Sequence, residues 1–232
     1  MLPRKIALLI SGLLIIYAGL SAGDTASFVD LGFSSDGRIF MFGQYGVQSQ
    51  ALRPWAELFI VDVANNNFVS DGRISYTHDN PILAGQDGSG ALYGLIADSS
   101  GIARRYGISY PNQGQPLYIS LDTNPPSSGE RIEFRDFLTR RYYKANLVSS
   151  TEGSGKDVKS SFCIYLECST GDGRVKNYTV GDLKIKRSLV SSYNIKRVIT
   201  NSNGDSIIFV IEMKLAGDGG HNTRYMVEAL RL

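Results

Sequence analysis

Short apolar runs alternate along most of the chain with turns rich in glycine, serine and asparagine, which is the pattern of antiparallel strands. Residues 28–69 predict a meander of about four strands. The run at 38–43 is apolar at successive positions, so we expect this strand to be buried on both faces of its sheet. The third strand ends in a turn at 64–67, and residues 70–85 read as irregular.

One segment in the middle of the chain has a helical period instead. Apolar residues recur at helical spacing across 88–106, Arg104 and Arg105 lie in the last turn, and Gly107 follows as a cap. This predicts a helix near 88–106, with 99–101 as the place where it could break. The pattern then returns to strands, which we place at 116–121, 131–137, 141–149, 159–168, 174–180, 193–200, 206–214 and 224–230.

These elements predict a mainly β fold. The expected architecture is a set of antiparallel sheets, either a sandwich or a partial propeller-like array, with one short helix near 88–106. No segment reads as a long linker, so residues 24–232 are interpreted as a single domain.

The first 23 residues read as a secretory signal peptide. Two basic residues precede an apolar run at 6–17, and small residues follow at 18–23. Ser21 and Gly23 suit the positions that a signal peptidase reads, so we expect cleavage after Gly23, or else after Ala22. The apolar run is shorter than the roughly 20 residues of a membrane span, which disfavours the alternative of an uncleaved anchor. A soluble protein in the periplasm or outside the cell is expected, with membrane contact only during export.

Charge narrows the classes of partner. The signal carries two of the 24 basic residues and none of the 22 acidic ones, so the remaining 209 residues have no net formal charge. A neutral chain without basic clusters disfavours nucleic acid as a partner, and also strong attraction to anionic lipid. The densest basic run, which contains Lys184, Lys186 and Arg187, is interpreted as a solvated strand edge.

The two cysteines, Cys163 and Cys168, lie five positions apart in one apolar run. In a continuous strand their α-carbons lie roughly 16 Å apart on opposite faces, whereas a disulfide needs less than about 7 Å. We therefore expect unpaired, mostly buried thiols; a break in the strand is the alternative. The cysteines and the distant His78 and His221 are too few for a zinc site, and no cofactor is expected.

Two stretches near the ends of the chain echo each other. Residues 33–42 and 200–210 each place a turn of serine, Asx and glycine before a buried strand, and another strand follows each. This arrangement resembles the inner hairpin of a TolB-like β-propeller blade, which implies a ring closed by joining the two ends. A blade takes about 40–45 residues, and residues 70–190 show no repeat, which favours the sandwich.

A second resemblance is carried by the segments 23–34, 41–46 and 85–93 and, less distinctly, by 224–229. Through them the chain is similar to an uncharacterised bacterial family of predicted secreted proteins. The resemblance covers nearly the whole chain after the signal. It implies export and nothing about chemistry, because that family has no established activity.

Candidate catalytic residues are scarce. His78 lies in a loop beside Asp79 without a nucleophile-elbow pattern, and His221 is placed at a hairpin tip. Glu130 and Glu133 could form a carboxylate pair for glycosidic chemistry, yet their odd spacing points them to opposite faces of a strand. The acids at 122–124 and 171–173 are fragments of a calcium loop, and turn chemistry explains them.

A long loop predicted at 44–54 follows a buried strand and is the best candidate for a contact surface. The residues taken to bind a ligand are Tyr45, Gln48 and Arg53 in this loop and Trp55 just after it. For the aromatic residues at 40–45, Trp55 and Phe59, core packing competes with the groove interpretation and is preferred.

The sequence thus favours an exported, non-enzymatic interaction or ligand-binding module, whose partner is an envelope protein or a small ligand. The alternative is an exported hydrolase with a site built from scattered Asp, Glu and Tyr residues, and a structural envelope protein is a third possibility. A deep pocket with two or more acids, or His78 beside an acid and a hydroxyl, would favour the hydrolase. A shallow, aromatic, uncharged surface would favour binding.

Overall fold

The computed structural model describes residues 23–83, 85–121, 131–217 and 220–232. The expected signal peptide therefore lies outside the described residues, except for Gly23. The strands are β1 (Ser27–Phe33), β2 (Ile39–Val47), β3 (Pro54–Asp62), β4 (Asn67–Thr77), β5 (Gln115–Ile119), β6 (Arg131–Asp136), β7 (Arg141–Glu152), β8 (Lys159–Ser169), β9 (Val175–Gly181), β10 (Arg187–Ser188), β11 (Val190–Thr200), β12 (Ser206–Gly217) and β13 (Gly220–Arg231). The helices are α1 (Ser89–Asp98) and α2 (Ser100–Arg105), with a 3-10 turn at Gly155–Asp157.

Among the described residues the strands form three antiparallel sheets. Sheet I is the meander β1-β2-β3-β4, as the sequence predicted. In sheet II the order is β6-β7-β8, and both β9 and β10 pair with the far side of β8. Sheet III has the order β5-β11-β12-β13. The mainly β, antiparallel fold predicted from the alternation is confirmed.

The three sheets are stacked face to face, with sheet III in the centre. Strand β12 is apolar at every position from Ile207 to Ile211, so it buries both of its faces. Ile207 and Phe209 pack in one cluster with sheet II, whereas Ile208 and Val210 pack in a second cluster with sheet I. The burial of each such side chain contributes about 1.5–3 kcal/mol, so this double contact stabilises the stacking of all three sheets.

Sheet I also buries both of its faces. Phe40, Phe42 and Phe59 face sheet III, while Met41 and Leu58 face the helices. The expectation that the strand at 38–43 is buried on both sides, and that its phenylalanines are core residues, is confirmed.

Helix α1 packs on the outer face of sheet I through buried Leu92 and Leu95. Gly43 of β2 allows this close approach, since a Cβ there would lie 2.7 Å from Cδ1 of Leu92. The helix predicted at 88–106 is confirmed, including its break, which falls at Ser99. Within the described part of the chain, neither helix has the length and apolarity needed to cross a membrane.

The outer edge of β13 is covered by sheet I and by residues 24–26, which precede strand β1. Asp24 and Ala26 exchange backbone hydrogen bonds with Thr223 at 2.8 and 3.1 Å. Further along, side-chain oxygens of sheet I replace a strand: Gln44 Oε1 accepts from the N–H of Tyr225, and Asn66 Oδ1 accepts from that of Ala229, both at 2.7 Å. This edge of sheet III is thereby protected from pairing with another chain.

The structure corrects three expectations. Strand β4 extends to Thr77, although residues 70–85 read as irregular, because an edge strand that faces solvent needs no apolar alternation. The bulge at Asp71, with φ 59°, further obscures its period. The loop expected from residue 44 begins later, because β2 continues to Val47. Arg187 is not a solvated edge residue, since its side chain is half-buried beside Glu228.

The two echoing stretches lie side by side in adjacent sheets. The β1–β2 turn and the β11–β12 turn touch, and Ser206 Oγ donates a hydrogen bond of 2.8 Å to the carbonyl oxygen of Gly37. The described strands do not close into a propeller; they form a stack of sheets. The resemblance to TolB-like blades is not confirmed.

Candidate functional site

The outward face of sheet II carries a shallow groove of about 490 Å³. Every second residue of these strands points away from the stacked core, since side chains alternate along a strand. One cross-strand row consists of Arg131, Asn146, Tyr165 and Thr179, and the next consists of Glu133, Lys144, Glu167 and Asn177. The groove is therefore built from polar and aromatic side chains on four strands.

Tyr165 is the large aromatic residue in the groove, and 48% of its surface is exposed. Its hydroxyl is hydrogen-bonded to the thiol of Cys163, which raises the pKa of Tyr165. Cys163 lies two residues earlier on the same face of β8, roughly 7 Å back along the strand. The exposed part of Tyr165 is available to a ligand in the groove.

Asn146 is the cross-strand partner of Tyr165. Its side-chain oxygen Oδ1 is buried and accepts no hydrogen bond from the residues that the structure describes. A buried acceptor without a partner costs about 1–3 kcal/mol. Because this oxygen has almost no accessible surface, it is a local cost to stability and is not itself open to a ligand in the groove.

Charges in the groove are paired. Lys144 lies 3.2 Å from Glu167, and Arg131 lies 3.2 Å from Glu133. The hydroxyl of Tyr142 donates to Glu133 at 2.5 Å, and this hydrogen bond raises the pKa of Tyr142. These pairs present donors and acceptors to solvent without creating a surface of one charge.

A second depression of about 590 Å³ lies where the three sheets meet. Glu228 of sheet III is 5% exposed there. Its carboxylate accepts from Asn66 Nδ2 of the β3–β4 turn at 2.5 Å and from Arg187 Nη2 of sheet II at 3.2 Å. Burial raises the pKa of Glu228, and the hydrogen bond from Asn66 and the charge of Arg187 oppose this shift. Asp182 also lines this junction cavity.

The sequence of the chain matches a known protein family. A family model described as "Predicted secreted protein (DUF2259)" matches residues 41–231 of the chain. The chain belongs to this family. No curated protein and no solved structure gives a significant match. The resemblance to an uncharacterised secreted family is thus confirmed, and the groove and the junction cavity both lie within the matched residues of this DUF2259 protein.

The four residues expected to bind a ligand in this DUF2259 chain differ in their exposure and in their surroundings. Tyr45 is half-buried against the cluster beneath α1, and Arg53 is exposed. Trp55 is 6% exposed, and the guanidinium carbon of Arg224 lies 4.0 Å from the centre of its ring. Gln48 lines a small depression with Asp24 and Asn222. Their role in binding stays a prediction.

The candidate catalytic residues of this DUF2259 protein do not come together in one site. His78 Nδ1 accepts from the N–H of Asn80 at 3.1 Å, in a cleft that also contains Tyr76 and Asp87. The Asp87 carboxylate is engaged by Ser89 at 2.6 Å. Of the suspected Glu130–Glu133 pair, Glu130 lies outside the described residues. Within the described ranges, no group of His, Cys, Asp and Glu is arranged to hold a metal ion.

Both cysteines of this DUF2259 protein are free and buried, as their spacing predicted. Cys168 points into the core between sheets II and III, and Cys163 points to the groove side. Burial raises the pKa of the Cys168 thiol. The groove itself was missed at the sequence level, although the alternation of Lys144, Asn146, Tyr165 and Glu167 with apolar residues could have indicated an exposed polar face.

Proposed function

We propose that the protein is an exported, non-enzymatic binding module and that the groove on sheet II is its ligand site. The observation that carries the proposal is the exposed ring of Tyr165 in a groove lined by polar side chains, among them Asn146 and Thr179. An apolar surface next to a few fixed polar groups is the usual composition of a ligand site. The charged side chains around it are paired with one another and can still donate to or accept from a polar ligand.

Export is the other half of the proposal. Residues 1–23 act as a cleaved signal, and the domain works in the periplasm or outside the cell. The family description supports secretion. Intact-mass measurement of the protein recovered from cells tests the signal: a chain that begins at Asp24 is expected, and a cytosolic chain that retains Met1 to Gly23 would contradict it.

Affinity capture from envelope extracts tests the binding function. The wild-type chain, Tyr165→Ala and Tyr93→Ala are immobilised in parallel, and bound proteins and small molecules are identified by mass spectrometry. Tyr93 is 69% exposed on α1, far from the groove, so its substitution is the matched control. A ligand of the groove should be enriched on the wild type and on Tyr93→Ala but not on Tyr165→Ala. If no species shows this pattern, the proposal fails.

A hydrolase remains the second candidate, because Glu228 and Asp182 line one cavity and burial raises the pKa of Glu228. A carboxyl group with a raised pKa is suited to general acid catalysis. Chromogenic glycosides, esters and peptides are assayed with the wild type and with Glu228→Gln. Turnover that is lost in Glu228→Gln, together with no captured ligand, would replace the binding function by this one.

A further inference from the structure

We propose that the groove on sheet II binds an oligosaccharide, with one sugar ring stacked on Tyr165. This inference rests on the binding function proposed above and names the class of its ligand. It depends on the exposure of one aromatic ring, on the groups around that ring and on what the groove cannot offer to other ligands.

The ring of Tyr165 provides the stacking surface. Tyr165 is 48% exposed in a groove whose other lining side chains are mostly polar. A pyranose ring has an apolar face of C–H groups, which packs on an aromatic face. An acyl chain has no hydrogen-bonding groups that would match the polar side chains around this ring.

Those polar groups suit hydroxyls. Asn146 and Thr179 flank Tyr165 on the neighbouring strands, and Lys144, Glu167 and Asn177 form the adjacent row. Each sugar hydroxyl is both a donor and an acceptor, and this set contains both kinds of partner.

The position of the groove disfavours an extended peptide. Peptides add to sheets through the free backbone groups of an edge strand. Strand β8 is paired with β7 on one side and with β9 on the other across the groove. A ligand that crosses here therefore meets side chains rather than backbone donors and acceptors.

Charge and length restrict the ligand further. Arg131 and Lys144 are each paired with a glutamate, so no excess of positive charge is available for a nucleic acid. The row from Arg131 to Thr179 spans three strand intervals, roughly 14 Å. This length fits a short oligosaccharide better than a single sugar.

Isothermal titration calorimetry with cellotetraose, maltotetraose and the tetramer of N-acetylglucosamine tests the inference. At least one of them should bind the wild-type chain lacking residues 1–23. Tyr165→Ala should weaken that binding about tenfold or more, because it removes the stacking surface. Tyr165→Phe keeps the ring and should retain most of the affinity, and Tyr93→Ala should leave it unchanged.

The outcomes separate the two proposals. The oligosaccharide inference is overturned if none of the three tetrasaccharides binds, or if Tyr165→Ala binds as the wild type does. Capture of another ligand that depends on Tyr165 would then still support the binding module. A thermal melt of each variant shows whether it is folded, and the affinity of Tyr165→Phe separates loss of the ring from disturbance of β8.

Discussion

Asn66 and Glu228, which lie 162 positions apart in the sequence, connect sheets I and III: the amide nitrogen of Asn66 donates to Oε2 of Glu228 over 2.5 Å. The oxygen of the same amide accepts from the backbone of Ala229 at 2.7 Å. Gln44 repeats this arrangement with Glu57 and Tyr225, at 2.7 Å in both hydrogen bonds. Two side-chain amides thus take the place of a strand along the edge of β13.

Replacement of Asn66 should destabilise the fold. Asn66→Gly tolerates the positive φ of 47° but removes both hydrogen bonds, so we expect a loss of about 1–3 kcal/mol in the free energy of unfolding. Asn66→Ala should lose more, because alanine is strained at this φ. Urea denaturation measures both variants. The control is Asn65→Ala in the same turn, an exposed position expected to change stability by less than about 0.5 kcal/mol; equal losses at the two positions would contradict the role of Asn66.

Glu228 should make the stability of the protein depend on pH. Burial raises its pKa in the folded state above the ordinary value of 4.5, so the folded protein holds this proton more tightly than the unfolded chain does. The resulting stabilisation is fully present below pH 4.5 and is lost as the pH rises through the raised pKa.

Glu228→Gln removes this titration while keeping the shape of the side chain. The free energy of unfolding of the variant, relative to the wild type, should therefore be more favourable at pH 7.5 than at pH 4. Chemical denaturation of both proteins at the two pH values provides the comparison, in which all other titrating groups cancel. A difference that is independent of pH, or one of the opposite sign, would show that Arg187 and Asn66 outweigh the effect of burial.

Asp136 should be a main determinant of the β6–β7 turn. Its fully buried carboxylate accepts from the N–H groups of Leu138 and Thr139 and from the Thr139 hydroxyl, at 2.8, 3.2 and 2.6 Å. Asp136→Ala leaves these donors without a partner, and we expect a loss of about 2–3 kcal/mol. The matched variant is Asp172→Ala, which removes a similar turn carboxylate from an exposed site and should have a much smaller effect on the urea midpoint.

Thiol accessibility should follow the burial of Cys163 and Cys168. Both are free and buried, so a thiol reagent such as iodoacetamide should react slowly with the native protein. After denaturation without reductant, it should modify two thiols per chain. Intact mass spectrometry counts the added groups. Fewer than two modified thiols in the denatured protein would mean that a disulfide or another oxidation product forms on export.

The local pattern of the sequence determined most elements of the fold. Alternation placed the strands, the apolar run at 38–43 indicated burial on both faces, and the spacing of Cys163 and Cys168 excluded a disulfide within one strand. These properties depend on the period of the chain over a few residues. The same pattern did not predict the second half of strand β4, because this edge strand faces solvent and has no apolar alternation.

Only the tertiary structure decided how the sheets are stacked and where polar groups meet. Asn66, Arg187 and Glu228 come from three sheets, and no local pattern relates them, because their contact depends on the packing of complete strands. Alternation shows that Asn146 and Tyr165 point to one face, but the register between β7 and β8 makes them neighbours. The packing of sheet II on sheet III, in turn, leaves that face open to solvent. The sequence therefore determined which segments form strands, while side-chain packing over long distances determined which of their faces can bind a ligand.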